Sequence, residues 1–262
     1  MTGAPTPAPA PLTPAPAEHP GRAGYPAMVR AQTRLEVVLT LRRGESLLLT
    51  LVIPVVLLAF FTAVPVLPSG GIGGLTPGML ALAVMSTAFT GQAIATAYER
   101  RYGVLKRLGA TPLPRWALLA GKTAAVAVVE VLQLAVLAVL ALLLGWHPSG
   151  AGVPAAVLLL IVATGTFSAL GLLLAGTLPA EAVLAGANAL WLVLTLIGGV
   201  LVPTDRLPSV LAAVGRATPT GALSHGLRAA LVRGHTDVVD LLVLLAWGLV
   251  LGVAAARTFR WE

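Results

Sequence analysis

The chain contains no cysteine, which excludes disulfides, thiolate metal sites and thiol nucleophiles. Charge is also scarce: only 10% of the 262 residues are Asp, Glu, Lys or Arg, against about 25% in an ordinary soluble domain. Lysine is almost missing, with Lys106 and Lys122 standing alone among arginines. The histidines are His19, His147, His225 and His235; none stands in an H-E-x-x-H pattern, and a solvated or interfacial role is expected for them. No His, Asp and Glu residues cluster along the chain, so it is not read as an enzyme. A phosphate loop is lacking too. Gly121-Lys122-Thr123 imitates the end of one, but Trp116 occupies the place of the required first glycine and the surrounding run is apolar. Lys122 is expected instead to carry its ammonium out to lipid headgroups.

What is present is apolar sequence. Residues of the hydrophobic class make up 57% of the chain and mean hydropathy is +0.92, values of an all-α integral membrane protein. The net charge of +7 would suggest nucleic acid in a soluble protein. Here the position of the charge matters more than its sum, and no nucleic acid partner is expected. Residues 1–27 are mostly Pro, Ala, Thr and Gly, a composition that favours a disordered or polyproline-like tail; it lacks the charged start and apolar core of a signal peptide. Residues 28–262 form the membrane domain.

Met28 to Glu45 reads as an amphipathic interfacial helix. Met28, Ala31, Leu35, Val38 and Leu39 fall near one face, and Arg30, Arg34, Arg42 and Arg43 fall largely elsewhere. Six apolar runs follow, at about 47–67, 76–97, 117–144, 153–178, 182–202 and 238–256, each of the length that spans a bilayer as a helix. Pro54 lies inside the first. If the N-terminus is cytoplasmic, thirteen of the 17 Lys and Arg residues lie inside; only Arg206, Arg216, Arg228 and Arg233 lie outside. Both termini are therefore expected in the cytoplasm. Residues 203–237 form the longest outer connection. It holds two short apolar pieces broken by Pro208 and Thr218-Pro219, too short to span and suited to a re-entrant or interfacial hairpin.

Between the second and third runs stands a basic stretch interrupted by Gly and Pro: Glu99-Arg100, Gly103, Leu105-Lys106-Arg107-Leu108, Ala110-Thr111-Pro112-Leu113-Pro114-Arg115-Trp116. The helix of the second run is expected to continue through Leu108 and end at Gly109 and Pro112. This stretch resembles the cytoplasmic coupling segment of type-2 ABC exporter permeases, the pattern E-R-x-x-G-x-L-K-R-L-x-A-T-P-L-P-R-W. A second match lies far from it: Pro203, Leu207 and Pro208 fit the P-x-x-x-L-P entry to the outer re-entrant hairpin of that family, with Pro219 further into it. The resemblance implies a six-span bundle in a bacterial cell membrane, paired with a second permease copy as a homodimer. It also implies a separate ATP-binding-cassette subunit that carries ATP and Mg and hydrolyses the nucleotide; this chain binds no cofactor. Similar members include daunorubicin-type and multidrug exporters, so a drug-like or lipid-like substrate is implied. Glu99, Arg100, Arg101, Leu105, Lys106, Arg107 and Leu108 would make the coupling contact. The charges would meet acidic groups or lipid, Tyr102, Val104, Leu105 and Leu108 would fill an apolar groove on the ATPase, Glu99 would pair with a nearby base, and Trp116 would anchor the interface.

Glu130 is the charged outlier within the third run, with Gln133 one turn on. An ionisable group at mid-bilayer costs about 2.5–3.5 kcal/mol to insert, so it faces protein, water or a neutralising proton. Two readings stand: a translocation-path group that recognises a cationic substrate, or a polar contact between helices. A proton-coupled secondary carrier using Glu130 is the alternative function. The small residues Gly171, Ala175, Gly186, Gly198 and Gly199 are candidates for close helix approach.

Overall fold

The computed structural model describes residues 24–42, 44–64, 71–202 and 208–259, excepting the side chains of 44–50. Pro203 and Leu207 of the hairpin entry lie outside the described residues. The chain is an all-α membrane protein, 85% helical, with no strand among the described residues. An amphipathic helix α1 (Tyr25–Arg42) precedes an apolar helix α2 (Gly44–Ala63), which runs on through Pro54. α1 begins at Tyr25, three residues into the segment assigned to the tail. The next span is built from α3 (Ile72–Val84), a π-helical stretch over Met85–Gly91 and α4 (Gln92–Arg101). A short α5 (Val104–Gly109) precedes the long α6 (Arg115–Leu143), and α7 (Val153–Thr177) and α8 (Ala180–Ile197) are joined by a tight turn at Leu178-Pro179. The hairpin of α9 (Ser209–Ala217) and α10 (Pro219–Leu231) leads to α11 (Val238–Thr258).

Five helical stretches are long and apolar enough to cross a bilayer: Ile72–Arg101, Arg115–Leu143, Gly150–Thr177, Ala180–Ile197 and Val238–Thr258; Leu51–Ala63 within α2 is a shorter apolar segment. These fall on the six expected runs, with shifted ends. The first stretch has 30 residues, about 45 Å at 1.5 Å per residue, whereas the hydrocarbon core is about 30 Å thick. The stretch is thus longer than a hydrocarbon core requires, and its charged residues Glu99, Arg100 and Arg101 are gathered at one end of it. The fifth run ends earlier than expected, at Ile197. Gly199 takes φ 68°, in the left-handed region, and the chain turns there.

α7 is apolar all round and occupies the middle of the bundle, packed against α4, α10 and α11. Glycine permits the tightest of these crossings. A Cβ on Gly171 would collide with the Phe89 carbonyl in the π-helical stretch, so the backbones meet there without side chains between them. Ala175 is fully buried, whereas Gly186 faces open space and makes no such approach. Outward, large apolar side chains such as Val131 and Leu249 are about 70% exposed, the arrangement a lipid solvent permits and water does not.

The hairpin sinks into the end of the bundle opposite α5. α9 and α10 have 9 and 13 residues, so neither spans. Pro208 precedes α9; Pro219 is buried at the first turn of α10, where its missing N–H is not needed. The Thr218 side chain accepts a hydrogen bond from Gly221 N at 3.1 Å and caps the helix. α10 is buried along nearly its whole length, against α3, α7 and α11. Arg228 donates to the Val200 carbonyl at 2.8 Å and Ser224 to the Gly198 carbonyl at 2.5 Å, tying the hairpin to the end of α8.

Candidate functional site

Where the 30-residue span emerges, the helix breaks earlier than expected. It stops at Arg101, Tyr102 leaves helical geometry, and Gly103 adopts φ 71° and ψ 14° before α5 starts. That left-handed residue makes an elbow instead of one continuous helix through Leu108. Only glycine takes this conformation without strain, which explains a glycine inside an otherwise helical pattern.

The elbow changes which side chains are presented. Leu105 is 0% exposed. It packs with Leu118, Leu172, Ala255 and Phe259, and Leu108, Leu113, Leu119 and Leu173 lie against the same cluster. Leu105 and Leu108 are thus turned inward. This corrects the expectation that they enter a groove on another protein: they clamp α5 onto α6, α7 and α11. The outward surface consists of Tyr102, Val104, Lys106 and Arg107, with Tyr102 70% exposed. Arg100 donates to the Leu178 carbonyl and Arg101 pairs with Glu181, both at the α7–α8 turn. These two arginines lash the elbow to the neighbouring turn.

Beneath the elbow lies a buried ionic knot. Lys122, 4% exposed, places Nζ 2.5 Å from Glu99 Oε2 and 2.7 Å from Glu36 Oε1. Gln32 Nε2 donates to the same Glu36 oxygen at 2.7 Å. Lys122 does not reach for headgroups, as its place near a span end suggests; two carboxylates hold it inside. Glu99 does pair with a base, but one 23 residues away on another helix. Gly121 makes the knot accessible: α1 crosses here so closely that a Cβ on Gly121 would press into Gln32. The protein-facing side of α1 is therefore polar, with Gln32, Thr33 and Glu36 toward α6. Leu35, Val38 and Leu39 stay exposed, as an interfacial helix requires. Trp116 is half exposed, its ring 5.3 Å from that of Tyr25. The knot joins α1, α4 and α6.

Glu130 and Gln133 part company. Gln133 accepts a hydrogen bond from Thr87 at 2.7 Å, a contact from α6 to the π-helical stretch. Glu130 accepts from the Thr164 hydroxyl on α7; it is 2% exposed and its second carboxyl oxygen has no partner. At the far end, on α10, stands His225. Its Nδ1 lies 2.7 Å from Asp240 and 3.8 Å from Asp237. The three residues offer one ligand atom each within 4.8 Å of one another, and Arg233 stands 3.3 Å from the other ring nitrogen. Neither this cluster nor Glu36 and Glu181 was legible as a site, since each is completed by residues from different helices. The signal available for Glu36 was Lys122 itself, a cation within the first turns of an apolar run, for which an acid on another helix is the alternative to a lipid headgroup.

A bundle of helices long and apolar enough to cross a membrane, with a basic elbow past one end of a long span and a sunken hairpin at the other, defines a multi-pass membrane protein. The sequence model of the ABC-2 type transporter family matches residues 29–232, and the chain belongs to that family. It is an ABC transporter permease subunit. A comparison with curated proteins returned no match. Gly121-Lys122-Thr123 lies within α6 with its ammonium held by carboxylates, so no phosphate loop forms there.

Proposed function

We propose that the chain is the membrane-spanning half of an ATP-driven exporter that moves a drug-like or lipid-like substrate out of a bacterial cell. ATP and Mg bind and react on a separate nucleotide-binding subunit, and two permease copies assemble as a homodimer. The elbow faces the cytoplasm together with both termini, and the α9–α10 hairpin faces outward. The observation that carries this reading is the construction of the elbow. A soluble subunit can push only on something stiff, and α5 is clamped by Leu105 from below, lashed by Arg100 and Arg101 at the side, and underlain by the Glu36–Lys122–Glu99 knot. Closure of the ATPase dimer would press on Tyr102, Val104, Lys106 and Arg107 and be passed to α4 and α6 as a rigid-body tilt. Single surface charges contribute about 0–1 kcal/mol each, so the apolar pair Tyr102 and Val104 supplies most of the docking energy and the basic residues supply steering.

The test is co-purification. Tyr102→Asp with Val104→Asp should leave insertion and oligomeric size unchanged, because both side chains are exposed. It should release the cognate ATPase subunit on washing and stop ATP-dependent export of a fluorescent drug from vesicles. Full retention of the ATPase and normal export would overturn the coupling role.

A further inference from the structure

A cavity of about 1010 Å³ opens on the flank of the bundle between α6, α7 and α11. Its walls are almost wholly apolar, and Glu130 is the sole ionisable residue among those lining it. Thr164 occupies one carboxyl oxygen of Glu130; the other is buried with no partner. Among the described residues, no Lys, Arg or His lines the cavity to neutralise it. Two further wall residues, Gly165 and Gly252, face open space, with nothing within 4 Å of where a Cβ would stand. Small residues in membrane helices ordinarily bring backbones together. Here they leave room, in a space large enough for a drug-sized molecule.

Deepening the exporter reading, on which it rests for its role in transport, we propose that this groove is a lateral binding site for an amphiphilic organic cation. The apolar body lies against α6, α7 and α11, and the cationic centre pairs with the unpartnered oxygen of Glu130. Charge and shape argue for one class of occupant. A neutral lipid tail would fill the walls and leave the carboxyl oxygen unpaired. An anionic amphiphile would bring like charge against it. A small inorganic cation would leave the apolar volume empty. A delocalised or tertiary-amine cation with an aromatic body satisfies both parts, and its weak hydration lowers the cost of leaving water. Such a molecule partitions into the membrane first and enters from the side, which matches a cavity open on the flank.

The experiment measures binding to the purified permease alone, without ATPase or ATP, by equilibrium dialysis in lipid nanodiscs. The probes are tetraphenylphosphonium and tetraphenylborate, matched in size and opposite in charge. Saturable tetraphenylphosphonium binding is expected, with none for tetraphenylborate. Glu130→Gln should weaken tetraphenylphosphonium binding at least tenfold, and Glu130→Asp should weaken it less. Gly165→Leu, which fills the groove and leaves Glu130 intact, should abolish it; this variant decides the matter if Glu130→Gln does not fold. Equal binding of the two ions, or undiminished binding in Glu130→Gln and Gly165→Leu, would overturn the proposal. Binding confined to an isolated monomeric fraction would assign the groove to a second copy of the chain and overturn it equally. The two readings fail separately. Glu130-dependent binding without any ATP-driven transport would retain the groove and sink the exporter, whereas ATPase retention and transport without such binding would do the reverse.

Discussion

Replacing Lys122 by Met tests whether the ionic knot holds the elbow in place. The shape is nearly conserved and the ammonium is lost, so Glu36 and Glu99 face each other without a cation. Their two carboxylate oxygens both lie within 2.7 Å of Nζ and so within about 5 Å of one another. Two like charges at that separation repel by about 3 kcal/mol at an effective dielectric constant of about 20. This agrees with the roughly 3–5 kcal/mol lost when one partner of a buried ion pair is removed. Lys122→Met should therefore lower the thermal midpoint in detergent sharply, read as the loss of the monodisperse peak on size exclusion after heating. The triple variant Lys122→Met, Glu36→Gln, Glu99→Gln removes every charge of the knot, and it should recover most of the stability, because the neutral set has no ion left to solvate. Recovery of stability need not restore export, since the amides lack the attraction that ties α1 to α4. If Lys122→Met is as stable as the parent, or the triple variant is no better than the single one, the knot does not bear on the fold and the stiff-elbow argument fails.

Leu105→Asp buries a carboxylate in the Leu118, Leu172 and Phe259 cluster and should abolish the folded peak altogether, whereas Arg107→Ala, fully outward, should leave stability within about 0.5 kcal/mol and slow only ATPase association. Gly171→Val should destabilise by about 1–3 kcal/mol through collision with the Phe89 carbonyl; Gly186→Ala, with open space around it, should be neutral or stabilising, and heating curves of the two side by side check the contrast. Because the chain has no cysteine, topology can be read by single-site labelling: an impermeant maleimide on intact cells should modify His235→Cys and leave Arg107→Cys unmodified, and the opposite pattern would invert the proposed orientation. Thr218→Ala removes the cap of α10 and should cost about 1 kcal/mol, visible as a lowered thermal midpoint.

The sequence by itself determined the solvent and the class of fold. Long apolar runs admit no structure in lipid other than helices, so five candidate spans and one shorter apolar helix appear where hydropathy placed them. The hairpin was marked by Pro208 and Pro219, residues whose backbone preferences act locally; the break at Gly103 was passed over, since the helix was expected to run on through Leu108. What the sequence did not decide is where side chains turn once helices pack. Leu105 looked like a docking residue because it stands beside Lys106 and Arg107 in a stretch that resembles a coupling segment; it is a core residue because the left-handed turn at Gly103 rotates α5 inward. Lys122 looked like a snorkelling cation, and α1 looked like a helix whose apolar side counts most. Only the crossing of α1 over Gly121 brings Glu36 to the ammonium and makes the polar side of α1 its packing face. Glu130 and Gln133, one turn apart on the same side of α6, take partners from different elements, Thr164 of α7 and Thr87 of the π-helical stretch, because two neighbouring elements pack against that side. Periodicity and hydropathy are properties of one segment at a time. The partners of a buried charge belong to other helices, and no single segment carries that information.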